Sequence, residues 1–245
     1  MLIKSVKQVV KAALPRWAKD QLAIRAMVKF ESRYNGKANS EIFSDIYQSG
    51  HWGAGDATFF SGSGSHDTAI ITPYVEAISN FLSELPGQVD VVDLGCGDFN
   101  VGSQIRELCG NYVACDVVPS LIAHNSEKFR ELKVDFRCID IARDVLPQGD
   151  VVFIRQVLQH LSNHDILQVV SKLGQYRYLV LTEHLPVSQF VANIDKPAGM
   201  GIRLMANSGI ILTRPPFSLK VSAERILCEV PEEGGIIRTT LYEMS

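Results

Sequence analysis

The chain has 245 residues, of which 46% are apolar and 21% charged, and its formal net charge is -3. This suits one large α/β domain or two small ones, with a sizeable core, and lacks the basic surplus of a nucleic-acid-binding domain, so no nucleic-acid partner is expected. Five cysteines, an odd number with no CxxC pair, exclude a disulfide framework or a zinc site and fit a reducing, cytoplasmic setting.

No apolar run approaches the roughly 18 residues that span a bilayer, and the N-terminus shows no secretory pattern. Leu2, Ile3, Val6, Val9, Val10 and Leu14 recur at helical spacing up to Pro15, and a second helix is expected over residues 17–30. Their polar face carries Lys4, Lys7, Lys11, Arg16, Lys19, Arg25 and Lys29 against Asp20 alone. This N-terminal helical extension, residues 1–35, has three readings: a solvated helix packed on the domain, a homodimer contact, or a segment lying on an anionic membrane.

The main domain is expected over residues 36–245. Residues 36–66 combine Gly and Ser with Phe43, Tyr47, His51, Trp52, Phe59 and Phe60, and include the run Ser61-Gly62-Ser63-Gly64-Ser65. A linker needs no such aromatics, so a structured loop that covers a ligand is expected. A helix follows over 68–85, with Ile70, Ile71, Tyr74, Val75, Ile78, Phe81 and Leu82 at its spacing. Strands at 89–94, 112–116, 135–139, 150–155 and 178–183 then alternate with helices from about 101, over 121–131 and near 165–173. Short apolar strands between helices predict a parallel sheet covered on both faces. Residues 224–230 and 236–243 alternate around Pro231-Glu232-Glu233-Gly234-Gly235, a hairpin signal.

The chemistry starts at Val91-Val92-Asp93-Leu94-Gly95-Cys96-Gly97-Asp98, a buried strand entering a glycine turn. Gly95 and Gly97 permit positive φ and close approach of backbone to ligand, at the strand edge where open α/β sheets bind. Asp116 ends the next strand, where an acid accepts ribose hydroxyls, and Asp140 follows the third, where an acid meets an adenine amino group. A dinucleotide site would show G-x-G-x-x-G. Here the turn reads Gly95-Cys96-Gly97-Asp98-Phe99-Asn100, and Asp98 would repel a phosphate. A cofactor without phosphate, carrying a sulfonium cation, suits these acids better.

Residues 93–98 resemble the first motif of the class I methyltransferases that use S-adenosylmethionine (SAM), and Asp116 and Asp140 resemble the second and third. The resemblance implies an α/β, Rossmann-like, seven-stranded and mostly parallel sheet of order 3-2-1-4-5-7-6, helices on both faces and a C-terminal antiparallel hairpin. It implies a SAM site along Asp93, Gly95, Cys96, Gly97, Asp98, Asn100, Asp116, Asp140 and Ile141. Phe43–Tyr47, Trp52-Gly53 and 61–65 resemble the lead-in of a subgroup of bacterial methyltransferases that often accompany surface-polysaccharide synthesis genes. So does the later run Asn193-Ile194-Asp195, Gly199, Arg203, Leu212 and Pro215-Pro216-Phe217, within an insertion at 186–220. In the lead-in, Tyr47 or Trp52 suits a sulfonium by cation–π contact, and Ser61 and Ser65 suit the methionine carboxylate.

Methyl transfer is an in-line displacement that needs an aligned nucleophile and sometimes a base. The ends of strands four and five offer Arg155 and Gln156, then His184 in a loop before Pro186, with His184 the preferred base and His160 a weaker one. Gln156 stands where many relatives carry an acid, and is expected to orient substrate or donor. Arg155, Arg203, Asp195 and His51 are the expected contacts to a small polar acceptor: a sugar, a sugar nucleotide or a phosphorylated precursor. Methylation of a small amine or phosphoramidate, of RNA or protein, and a donor-binding protein without catalysis are the alternatives.

Overall fold

The computed structural model of the chain describes residues 15–53 and 58–245; the helix expected over residues 2–14 lies outside them. Seven strands form one sheet of order β3-β2-β1-β4-β5-β7-β6. They are β1 Val91–Leu94, β2 Tyr112–Asp116, β3 Asp135–Cys138, β4 Val151–Arg155, β5 Tyr178–Pro186, β6 Val221–Glu232 and β7 Gly235–Met244. β1 to β5 run parallel, and β7 lies antiparallel to both β5 and β6. β1 and β4 hold apolar side chains on both faces, as strands between two helical layers require. Val92, Leu94, Val152 and Ile154 pack one core, and Val91, Phe153 and Val180 the other. The fold class is the expected one.

Three elements depart from the sequence-based expectation. β5 runs on to Pro186, which pairs with Gly235. Glu183 and His184 look like a strand end, yet both are buried between β7 and the insertion. The helix from about 101 is a single α-turn, Gly102–Ile105, tightening into a 3-10 turn. Residues 36–66 are not all loop: Asn39–Gln48 is helical, with Ile42, Phe43 and Ile46 buried at helical spacing. Ala38 N–H donates to Glu41 Oε2 at 2.8 Å and fixes that helix start.

The second N-terminal helix, α1, spans Arg16–Glu31. It packs on the turn Arg203–Ala206 of the insertion. Its last residue, Glu31, is fully buried and accepts from Gly201 N–H at 2.6 Å.

Candidate active site

At the carboxyl end of β1, Gly95 has φ +83° and Gly97 φ +57°. A Cβ on Gly95 would lie 2.3 Å from Val157 Cγ2, and one on Gly97 2.5 Å from Ser61 Oγ. Beyond the turn lies a cavity of about 400 Å³. Asp116 lines it and accepts from the N–H groups of Gly97 at 3.2 Å and Val118 at 3.1 Å. Burial raises the Asp116 pKa to about 6, against the pull of those N–H groups. Burial likewise brings Asp93 to about 7, opposed first by the Tyr112 hydroxyl, which donates to it at 3.1 Å. Asp140 accepts from Ala142 N–H at 3.0 Å and from Asn39 Nδ2 at 3.3 Å. Cys96 and Ile141 complete this end of the wall.

The lead-in is stapled to the glycine turn. Asp98 is buried, and its Oδ2 accepts from Ser61 N–H at 3.0 Å and His66 Nε2 at 2.6 Å, while Oδ1 accepts from Asn100 N–H at 3.2 Å. In return Ser61 Oγ accepts from Asp98 N–H at 2.8 Å and shares a 2.9 Å bond with the Tyr47 hydroxyl. Asn100 stands outside the cavity and donates to the Ser65 carbonyl at 2.7 Å. Asp98, Ser61 and Asn100 thus spend their hydrogen bonds on holding the loop rather than on open space. His66, stacked on Phe60 at 4.3 Å, completes the staple. Asp98→Ala is expected to free residues 58–66: a charged buried hydrogen bond contributes about 2 kcal/mol, so amide exchange at Ser61 and His66 should rise roughly thirtyfold, with the sheet amides unchanged.

Tyr47 and Trp52 line the cavity edge-to-face at 4.8 Å, and Trp52 lies 5.5 Å from the His160 ring. Arg155 also lines it, but turns toward the lead-in. Its guanidinium donates to the Gly64 carbonyl and to Ser65 Oγ at 3.3 Å, and lies 5.0 Å over Tyr74. Arg155 Nε is buried without a partner. Gln156 follows in a left-handed conformation, φ +55°, with its amide against Gly64.

His184 lies in β5 rather than in a loop; it lines the cavity, and its Nε2 is buried without a partner. Burial lowers its pKa. His160 sits in the 3-10 turn Leu158–His160, with Nδ1 at 3.2 Å from the Gly199 carbonyl, and burial takes its pKa to about 3. Gln159 joins the two: its Oε1 accepts from His184 N–H at 3.3 Å, and its Nε2 lies 3.4 Å from His160 Nε2.

Three expected acceptor contacts stand elsewhere. Arg203 is 1% exposed and donates to the carbonyls of Leu158, Gln159, Leu161 and Ile194 and to Asn163 Oδ1 at 2.8–3.2 Å. It ties the insertion to the sheet. Asp195 Oδ1 accepts from Asn163 N–H and Lys196 N–H, both at 2.8 Å, at the start of the helix Asn163–Val170. His51 is exposed in a turn beside the Ser49 hydroxyl. Asn39, Tyr74, Gln159 and the wall Met200-Gly201-Ile202 line the cavity although no sequence signal singled them out. Asn39 stands in the first turn of its helix and Tyr74 reads as a helical core residue; neither carries a motif.

A family model described as a methyltransferase domain matches residues 92–176. No curated protein matches the sequence. Similar solved structures include the N-methyltransferase NodS of Bradyrhizobium japonicum WM9, at 12% identity and TM-score 0.52, over 74% of this chain and 99% of that one. Human N-acetylserotonin methyltransferase, in complex with SAM, aligns at 14% identity and TM-score 0.56, over 94% and 66%. Magnesium protoporphyrin IX methyltransferase of Synechocystis PCC 6803, with bound SAH (S-adenosylhomocysteine), aligns at 16% and 0.53, over 87% and 97%. At such identities the likeness is one of fold, while the domain match falls on the glycine turn and on the strand ends that build the cavity. Residues 92–176 thus match a methyltransferase domain, and the chain as a whole has the fold of these SAM-dependent methyltransferases.

Proposed function

We propose that the enzyme O-methylates a small, uncharged polar acceptor, a sugar or similar polyol of the kind built into surface polysaccharides. One observation carries the reading: the cavity lining includes Trp52, Gln156, Gln159, His160 and His184, while the nearby cations are engaged. Arg155 is held by Gly64 and Ser65, Arg203 by four carbonyls, and Lys196 Nζ by the carbonyls of Pro197 at 2.6 Å and His160 at 3.3 Å. An aromatic face with amides and imidazoles suits hydroxyl groups; a phosphorylated acceptor finds no free cation among these three.

Bound SAM supplies an electrophilic methyl on a cationic sulfur. Asp116 would accept the ribose hydroxyls, Asp140 with Asn39 would meet the adenine edge, and Tyr47 and Trp52 would face the sulfonium. Arg155, beside Ser65, would supply the counter-charge to the methionine carboxylate, a donor role rather than the acceptor role expected from sequence. Gln156 orients the acceptor. His184 would take the acceptor's hydroxyl proton as the oxygen gains the donor's methyl, so that the products would be a methyl ether and SAH. His184 is better suited than His160, whose Nδ1 is held by Gly199 and whose basicity burial suppresses further.

The test is labelled methyl transfer to a panel of sugars, sugar nucleotides, amines, RNA and protein. Transfer to sugars is expected. His184→Ala should lower kcat about a hundredfold with SAM affinity unchanged. The acidic limb of wild-type kcat should lie below about 6.5, since burial depresses this imidazole. Transfer confined to RNA or protein, or an unaffected His184→Ala variant, overturns the reading. Transfer to amines would favour the second reading, N-methylation, for which Glu232 on the cavity wall offers a carboxylate to an ammonium group.

A further inference from the structure

We propose that α1 and the adjoining insertion form a docking surface for an anionic lipid bilayer. The first observation is charge. Residues 1–30 hold seven Lys or Arg and one acid, a net of +6, whereas the rest of the chain carries -9. Such a split within a chain of net charge -3 sets a cationic N-terminal segment apart from an anionic remainder of the sequence.

The second observation is where apolar side chains meet water. Nine large ones are exposed among the described residues, and five of them fall in α1 or the insertion: Leu22, Val28, Val187, Val191 and Met205. On α1, Leu22, Arg25, Ala26 and Lys29 are all exposed at i, i+3, i+4 and i+7, one stripe of the helix. Met205 is 59% exposed and belongs to the turn on which α1 packs. Asn207 Nδ2 donates to the Gln189 carbonyl at 3.4 Å, which brings the segment holding Val187 and Val191 alongside. In sequence, residues 1–14 repeat the combination, with Lys4, Lys7 and Lys11 among Leu2, Ile3, Val6, Val9 and Val10.

Basic groups interleaved with exposed apolar ones fit a bilayer with anionic headgroups, which rewards both. RNA would use the charges and leave Leu22, Val28 and Met205 exposed. A second copy of the chain would meet them with a like-charged face. Glu31 seats α1 against Gly201, and Met200, Gly201, Ile202 and Met205 belong to the cavity wall. Docking through α1 therefore sets the active site beside the membrane surface.

The test is co-sedimentation of the full-length protein with vesicles of phosphatidylcholine, alone or mixed with phosphatidylglycerol. Binding to the mixed vesicles only, weakened by salt, is expected. Arg25→Glu with Lys29→Glu should weaken it at least about tenfold, and so should Lys4→Glu with Lys7→Glu. Val6→Asp with Val10→Asp should weaken it without reversing a cation, and SAM affinity should stay at the wild-type value in all three. No sedimentation with anionic vesicles, binding indifferent to all three variants, preferential RNA binding, or a dimer that the Arg25/Lys29 reversal dissociates would each overturn the proposal.

Discussion

Asp116→Ala is expected to weaken SAM binding by more than a hundredfold while leaving the protein folded. The carboxylate is buried, accepts the Gly97 and Val118 N–H bonds, and faces the cavity. An ionised oxygen that accepts two ribose hydroxyls contributes on the order of 3 kcal/mol, and each 1.4 kcal/mol is about tenfold in affinity. Stability should barely move. The folded pKa, about 6, lies above the ordinary 3.8. Burying this charge therefore disfavours the fold as pH rises from about 4 through 6, and the alanine variant escapes that penalty at neutral pH while orphaning two N–H groups. A pH series gives an independent readout. Wild-type affinity should fall below pH 6 as Asp116 takes a proton; the variant's weak binding should lack that step. Calorimetric titration with SAM and SAH checks both. A variant that binds as wild type removes Asp116 from the donor site.

What was legible in the sequence follows from the range of the interactions involved. β1, its glycine turn and Asp116 are set by local constraints: a buried strand, a positive φ, an acid at a strand end. Those constraints leave their mark on a few consecutive residues. The sheet order was readable through the resemblance alone, since no local pattern in the chain states which strands lie side by side. Arg203 and Asp195 were not readable in this way. An arginine in an insertion looks the same whether it meets a ligand or saturates backbone carbonyls, and only long-range packing decides. The same holds for His184, since the polar pair Glu183-His184 marks a strand end until β7 is seen lying against it. Asn39, Gln159 and the Asp98–His66 staple join residues 32 to 101 positions apart or sit on unmarked helical turns, so no local pattern signals them.

Arg203→Ala is expected to destabilise the fold far more than Asp116→Ala or His184→Ala, lowering Tm by on the order of 10 °C or more. The side chain holds five acceptors from two segments, and at 1% exposure bulk water cannot take its place. Its removal also withdraws the positive charge that pulls down the Glu183 pKa, which burial raises to about 8. Leaving these buried acceptors unpaired costs about 1–3 kcal/mol each, and in a chain of this size 1 kcal/mol is worth about 2–4 °C. Lysine should not rescue the variant, because three donors on a point charge cannot reach five acceptors held in a planar fork. The sign of the pH effect follows from Glu183. Its raised folded pKa means that native stability from this group declines as pH rises from about 4.5 through 8. Without the guanidinium its pKa climbs further, so the decline extends to more alkaline pH and the Tm deficit should be larger at pH 9 than at pH 6. Paired thermal melts at the two values test this. Retention of wild-type Tm with a selective rise in acceptor KM would return Arg203 to the acceptor site; a pH-dependent loss of Tm with unchanged KM in the surviving folded fraction leaves it as the tie between insertion and sheet.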